Sequence, residues 1–188
     1  MDMNPFVVLN YQTLLSFVAL TLIMRWHILP RLSRLPLEEA LIPLIWIHVF
    51  RYVALTGFLP GQVSPNAPSG AISTVIFGDT LSGLLALVTV VLLERRTRGA
   101  IIAAWIFNIV GLADWALSQV LVTSNDIFQY ELGASTLIFV FYVPLLVITH
   151  IVMLYWLVRR KGDSGETGDD RPVQRRGLPL PMPHDERP

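Results

Sequence analysis

The chain alternates between long apolar segments and short polar segments. A helix needs about 20 largely apolar residues to cross a hydrocarbon core about 30 Å thick. Five segments meet this requirement, and we predict an all-α, polytopic membrane bundle over residues 1–160. The five predicted transmembrane helices cover about residues 5–24, 39–59, 71–93, 100–123 and 134–158.

The connections between these spans alternate in charge. "RWHILPRLSRLPLEE" and "ERRTRG" are basic, and the chain leaves the last span through "RRK". "LPGQVSPNAPSG" carries no charge, and "SNDIFQYELG" is acidic with no Lys or Arg. Short basic loops stay in the cytoplasm, so we predict the N-terminus outside and the C-terminus inside. A cleaved signal peptide needs a basic start and a small-residue cleavage site, which "MDMNP" and "LTLIMRW" do not provide.

Composition agrees with a membrane protein and narrows its chemistry. The chain is 53% hydrophobic and 15% charged, with a mean hydropathy of +0.56. Many of the charges lie in residues 161–188, which are rich in Gly and Pro and are predicted to form a disordered cytoplasmic tail. A formal net charge of zero argues against nucleic acid as a partner. The absence of cysteine excludes disulfides, thiolate metal sites and cysteine nucleophiles.

A small set of polar residues interrupts the apolar spans. Each ionisable side chain costs about 2.5–3.5 kcal/mol to insert into a bilayer, so such residues usually face the bundle interior and pair. We therefore expect them to form a polar site that handles protons, ions or a small solute. The candidate site residues are His48, Arg51, Asp79, Asn108, Asp114 and His150.

Counting helical rise from the span ends places three of these residues in one layer. At 1.5 Å per residue, Arg51 and Asp79 each lie about 12 Å deep, and Asp114 lies about 13 Å deep. One arginine between two aspartates leaves a formal charge of minus one, which favours a bound cation or proton. By the same count, His48 lies deeper, at about 16 Å. Asn108 and His150 lie at about 22 Å, past the midplane.

Small residues and hydroxyl groups surround the predicted polar layer. Gly78, Gly83 and Gly111 would let neighbouring helices approach closely. Ser82 and Ser118 have the helical spacing to donate to Asp79 and Asp114. Two further residues with expected roles are Pro144, predicted to kink the last span, and Trp115, which either lines a cavity or faces lipid.

Three classes of function remain open. The first is a transporter, channel or proton-handling protein. The second is a metal- or haem-binding enzyme or electron carrier: the candidate metal ligands are His48, His150, Asp79 and Asp114, and the two histidines are alternatively axial haem ligands. The third is an accessory subunit whose polar core only holds its helices together. The sequence assigns no cofactor. Walker, GxSxG and HExxH motifs do not occur.

The polar motifs also resemble those of a known group of proteins. "H..FR", "GD", "FN..G..D" and "VP.L..TH" occur once each in the second to fifth spans. This series is similar to a family of small, uncharacterised bacterial inner-membrane proteins, and the resemblance covers roughly residues 40–158. It implies a multi-pass protein of the bacterial inner (plasma) membrane and implies no activity. Homo-oligomerisation stays open, because five helices enclose only a small interior.

Overall fold

The computed structural model describes residues 5–159, and its long elements are all helical. Five helices in this part of the chain are long and apolar enough to cross a membrane, which confirms the predicted number of spans. The predicted tail at residues 161–188 lies outside the described residues. The helices are α1 (Phe6–Leu32), α2 (Leu37–Phe58), α3 (Ser69–Glu94), α4 (Ala100–Ser124) and α5 (Ser135–Arg159).

Helix α2 changes its geometry half-way along. Leu37–Val49 is α-helical, and Phe50–Phe58 is a 3₁₀ helix. The second half contains a glycine and β-branched residues, which have low α-helical propensity. A 3₁₀ helix has three residues per turn, so side chains three positions apart lie in one row. Arg51, Ala54 and Gly57 therefore share one face of α2.

The end of the bundle next to the basic connections is a packed apolar core. Helices α2 to α5 each contribute fully buried side chains to this core. Asn108 and His150 lie at the boundary of this core that is farther from the basic connections, so the polar residues begin where the core ends. The largest of its side chains that are less than 2% exposed are Leu41, Leu44, Ile45, Val90, Leu93, Phe107, Met153 and Leu157.

Two connections close the opposite end of the bundle. The α2–α3 connection meets the α4–α5 connection through a hydrogen bond from Ser64 N to Glu131 O of 2.9 Å. A second bond runs from Ala134 N to the side-chain oxygen of Gln62, at 3.0 Å. Beneath these bonds lies a small cluster of buried apolar side chains. We call these two bonded connections the loop cap.

Helix α1 lies on the outside of the bundle. It packs mainly on α5, and none of its described residues before Met24 is buried. Helices α2 to α5, by contrast, each bury several side chains. Helix α1 is therefore the least buried of the five helices in the described bundle.

Candidate functional site

Arg51 joins α2 to α3 and α4 through two carboxylates. Its side chain is only 3% exposed. Nε donates to Asp79 Oδ1 at 2.8 Å, and Nη2 lies 2.6 Å from the same oxygen. Nη2 also donates to Asp114 Oδ2 at 2.5 Å. The predicted contact of one arginine with two aspartates is present, although both bonds to Asp79 end on one oxygen rather than on a carboxylate fork.

Glycines create the space that this cluster occupies. A Cβ atom on Gly78 would overlap Asp114 Oδ1, and one on Gly111 would lie 2.5–2.6 Å from Cε1 and Nε2 of His150. A Cβ on Gly83 would lie 3.2 Å from the carbonyl oxygen of Val49. The three glycines therefore allow the close approach that the sequence predicts.

The two histidines form a second polar layer against the arginine. The rings of His48 and His150 are in contact, with centroids 4.1 Å apart and ring planes tilted by 52°. Nε2 of His48 lies 2.8 Å from Thr149 Oγ1. Because the Thr149 hydroxyl donates to the carbonyl of Leu145 or Leu146, it accepts a hydrogen bond from His48. Nδ1 of His48 then carries the lone pair.

His150 has the opposite arrangement of ring nitrogens. Its Nδ1 lies 2.7 Å from Asn108 Oδ1. An amide oxygen only accepts, so Nδ1 of His150 donates and its Nε2 carries the lone pair. Asn108 is fully buried and sets this orientation of the ring. The sequence suggests Asn108 as a donor that positions its neighbours, whereas here it contacts His150 through its oxygen, as an acceptor.

Two buried polar atoms near Gly111 lack partners. A Cβ atom on this glycine would lie 2.6 Å from His150 Nε2 and 3.4 Å from Arg51 Nη1. Neither atom makes a hydrogen bond to any residue in the described range, and both are buried. A donor and an acceptor therefore lie near each other beside Gly111 without partners. Buried polar atoms of this kind are rare in folded proteins unless water or a ligand binds them.

The histidines lie closer together than uniform helical rise predicts. A 3₁₀ helix rises about 2.0 Å per residue instead of 1.5 Å. Counted from Phe58 with these rises, Arg51 lies about 14 Å deep and His48 about 19 Å deep. A π-helical turn at Ile138–Tyr142 shortens α5 above His150. The predicted depth difference of about 6 Å is therefore too large, and the rings are in contact.

A pocket of about 70 Å³ ends at the polar cluster. Arg51, Asp79 and His150 line it, together with Trp115 and a wall of mainly apolar residues from α2 to α5. A single water needs roughly 10–15 Å³ of such space, so the pocket has room for a small polar group. Trp115 lines this pocket. Of its two expected environments, a cavity or the lipid, the structure therefore shows the cavity.

The predicted serine contacts are only partly present. Ser82 is buried beside Asp114, yet its hydroxyl makes no hydrogen bond of regular geometry to residues 5–159. Ser118 lines the pocket instead. Pro144 is buried at the start of the α-helical part of α5, directly after the π-helical turn.

The four candidate metal ligands do not come together as one group. Across residues 5–159, no three acidic or histidine side chains are arranged to hold one metal ion. Arg51 bonds the two aspartates. Axial haem ligands approach one iron from opposite sides, whereas the rings of His48 and His150 contact each other directly.

Two residues that hydrogen-bond to α2, Thr149 and Tyr142, are not assigned a role by the sequence. Thr149 matches one of the motifs, but an isolated threonine in an apolar span usually bonds its own helix. Tyr142 donates from its hydroxyl to the carbonyl of Ile47 at 2.5 Å. This carbonyl lies just before α2 changes to a 3₁₀ helix, where regular α-helical bonding ends. A tyrosine in mid-span next to Pro144 is the signal that points to such a contact.

Comparison with known families covers nearly all of the described chain. The family model "Domain of unknown function (DUF8737)" matches residues 8–158. The chain belongs to this family. The match includes all five helices in large part and every candidate site residue. No curated protein and no solved structure matches the chain.

Proposed function

We propose that this protein is a multi-pass protein of the bacterial inner membrane, with its N-terminus outside and its C-terminus in the cytoplasm. Five apolar helices of sufficient length support the membrane location. The alternation of basic and non-basic connections supports the orientation. In this orientation the packed core faces the cytoplasm, and the pocket lies in the outer half of the bilayer.

The function that the geometry supports best is a carrier that binds a small solute and exchanges protons at the Arg51 cluster. The unpaired Arg51 Nη1 and His150 Nε2 at the end of the pocket carry this proposal. Purely structural networks satisfy their own polar atoms, and this one leaves a donor and an acceptor available. Asp79, Asp114 and the two histidines supply groups that bind and release protons.

A carrier fits the structure better than an open channel. The pocket ends at His150, and beyond it the buried apolar side chains of the core fill the bundle. Solute that reaches Arg51 therefore has no continuous path to the cytoplasmic end. Passage across the protein requires the helices to rearrange around an occupied site, which is the behaviour of a transporter.

A proton-flux assay in proteoliposomes tests this proposal. Wild-type protein is compared with Asp79→Asn, Asp114→Asn and the control Glu39→Gln under an imposed membrane potential. Glu39 pairs with Arg96 at an exposed position outside the cluster. We expect flux above that of protein-free vesicles for the wild type and Glu39→Gln, and reduced flux for both aspartate variants.

Two outcomes contradict proton handling. One is flux equal to protein-free vesicles for every folded variant. The other is equal flux in wild type and both aspartate variants. If the aspartate variants fail to fold while Glu39→Gln folds normally, the cluster holds the helices together and the accessory-subunit hypothesis gains.

A further inference from the structure

The polar pocket has a neighbour on the side of α1. This second cavity, of about 180 Å³, lies between α1, α4 and α5. Leu9, Asn10, Thr13 and Phe17 form its α1 wall. Four residues line both cavities and are the partition between them: Trp115, Gln119, Phe139 and Val143.

The two boundaries of the cavities differ in strength. The loop cap covers the aqueous end with hydrogen bonds of 2.9 and 3.0 Å between two connections. The α1 wall has no buried residue between Phe6 and Ile23. Helix α1 packs on α5 and hardly contacts α4, so a path between α1 and α4 crosses no hydrogen-bonded connection of the loop cap. The easier route to Arg51 leads from the bilayer, past α1 and Trp115.

The unpaired atoms define the head group of a ligand. Arg51 Nη1 and Trp115 Nε1 are donors that are buried without a partner in the described chain. The lone pair of His150 Nε2 is an acceptor. A hydroxyl group both accepts and donates, so it offers the acceptor that Arg51 Nη1 lacks and the donor that His150 Nε2 lacks.

Ionic head groups match the unpaired atoms less well than a hydroxyl group does. Arg51 already bonds two carboxylates, and an anionic head group would add a third negative charge to one guanidinium. A proton on a carboxylate can balance the formal charge of minus one, whereas a cationic head group would face the N–H donors of Arg51 and Trp115. The remaining lining of the pocket is mostly apolar, which suits the body of a lipophilic molecule.

We propose that the substrate is a neutral lipophile with a hydroxyl-bearing head, which enters from the bilayer between α1 and α4. Its hydroxyl bonds Arg51 Nη1 and His150 Nε2, and its apolar tail extends past Trp115 into the α1 cavity. This inference rests on the proposed function and specifies the solute class and its access route.

The test uses four probes with the same twelve-carbon chain: 1-dodecanol, its methyl ether, dodecyl sulfate and dodecyltrimethylammonium. Binding to the folded state raises the unfolding midpoint, which is measured for the full chain in lipid nanodiscs. We expect 1-dodecanol to raise the midpoint most. Its affinity should exceed that of the ether about tenfold, because the ether cannot donate a hydrogen bond to His150.

Two variants at neighbouring positions of α1 test the route. Thr13→Trp fills the α1 cavity, whereas Leu14→Trp adds the same ring at a position that is 58% exposed. We expect the response to 1-dodecanol to disappear in Thr13→Trp and to persist in Leu14→Trp. Trp115→Phe keeps a ring in the partition without the N–H donor and should weaken the response.

Several results overturn the inference. These are an equal or larger response to an ionic probe, an equal response to the ether, and an unchanged response in Thr13→Trp. A lack of response to all four probes also overturns it. Normal proton flux with no response to 1-dodecanol rejects only the ligand class and leaves the proposed function standing.

Discussion

The ring of His48 lies against the ring of His150, yet the two rings bond different partners. Nε2 of His48 donates to Thr149, and Nδ1 of His150 donates to Asn108. The ring pair therefore holds two opposite arrangements of donor and acceptor nitrogens in one layer, with centroids 4.1 Å apart. This layer closes the inner end of the pocket and separates Arg51 from the packed core.

The hydrogen bond to His48 predicts a specific cost for Thr149→Val. This change keeps the shape of the side chain but leaves the buried His48 N–H without an acceptor, which costs about 1–3 kcal/mol. Thr74→Val is the matched control, because Thr74 bonds only its own helix at an exposed position. Unfolding free energies in detergent measure both effects.

A double-mutant cycle separates this bond from general packing. In a His48→Phe background, Thr149→Val should cost less than in the wild type, because no N–H remains to be satisfied. Equal costs in both backgrounds would show that the Thr149 hydroxyl does not act through His48.

The charge balance at Arg51 predicts a rescue. Arg51→Gln leaves two partly buried carboxylates without their cation and should cost up to about 3–5 kcal/mol. Adding Asp79→Asn and Asp114→Asn removes the uncompensated charges and should restore much of the stability. Arg96→Gln is the control, and it should cost at most about 1 kcal/mol because the Arg96–Glu39 pair is exposed.

Folded yield and unfolding free energy of the single and triple variants measure this rescue. A triple variant that is less stable than Arg51→Gln would mean that the aspartates stabilise the bundle independently of Arg51.

Two glycines on α3 should respond to alanine in opposite directions. Gly78→Ala places a methyl group on Asp114, and we expect overpacking to cost about 1–3 kcal/mol. Gly70→Ala meets no atom within 4 Å, and it should be neutral or stabilise the helix by up to about 1 kcal/mol. Thermal unfolding of both variants shows the difference. Equal midpoints would mean that α3 and α4 do not approach as closely as the structure shows.

The orientation can be checked with single cysteines, because the native chain has none. Asn66→Cys lies in the uncharged connection, and Thr97→Cys lies in a basic connection; both positions are exposed. In right-side-out membrane vesicles, an impermeant maleimide should label Asn66→Cys at once. It should label Thr97→Cys only after the membrane is permeabilised. The reverse pattern would invert the proposed topology.

The sequence predicts much of this architecture because its signals are strong. Continuous apolar runs define the five helices, and the scarcity of charge makes Arg51, Asp79 and Asp114 obvious partners. The common depth predicted for these three residues agrees with the observed ion pairs, because all three depths were counted from the same end of the bundle.

Other details depend on helix geometry and on contacts between helices, which the identity of a single residue does not determine. The rings of His48 and His150 meet between helices that contain a 3₁₀ segment (α2) and a π-helical turn (α5), and a uniform rise of 1.5 Å per residue misses both. The contact of Gly78 with Asp114 is between helices, so sequence spacing indicates only that a small residue is present. Thr149 is recognised as an acceptor only once His48 lies beside it.

The 3₁₀ geometry of Phe50–Phe58 has a mechanical consequence for the pocket. Three residues per turn keep Ala54 and Gly57 directly above Arg51, and their small side chains leave the space open. If this segment rewound to 3.6 residues per turn, Ala54 and Gly57 would rotate by about 60° and about 120° relative to Arg51, and the segment would shorten by about 4 Å. Rewinding this single segment would therefore change both the width and the depth of the cavity while α3 and α4 stay in place.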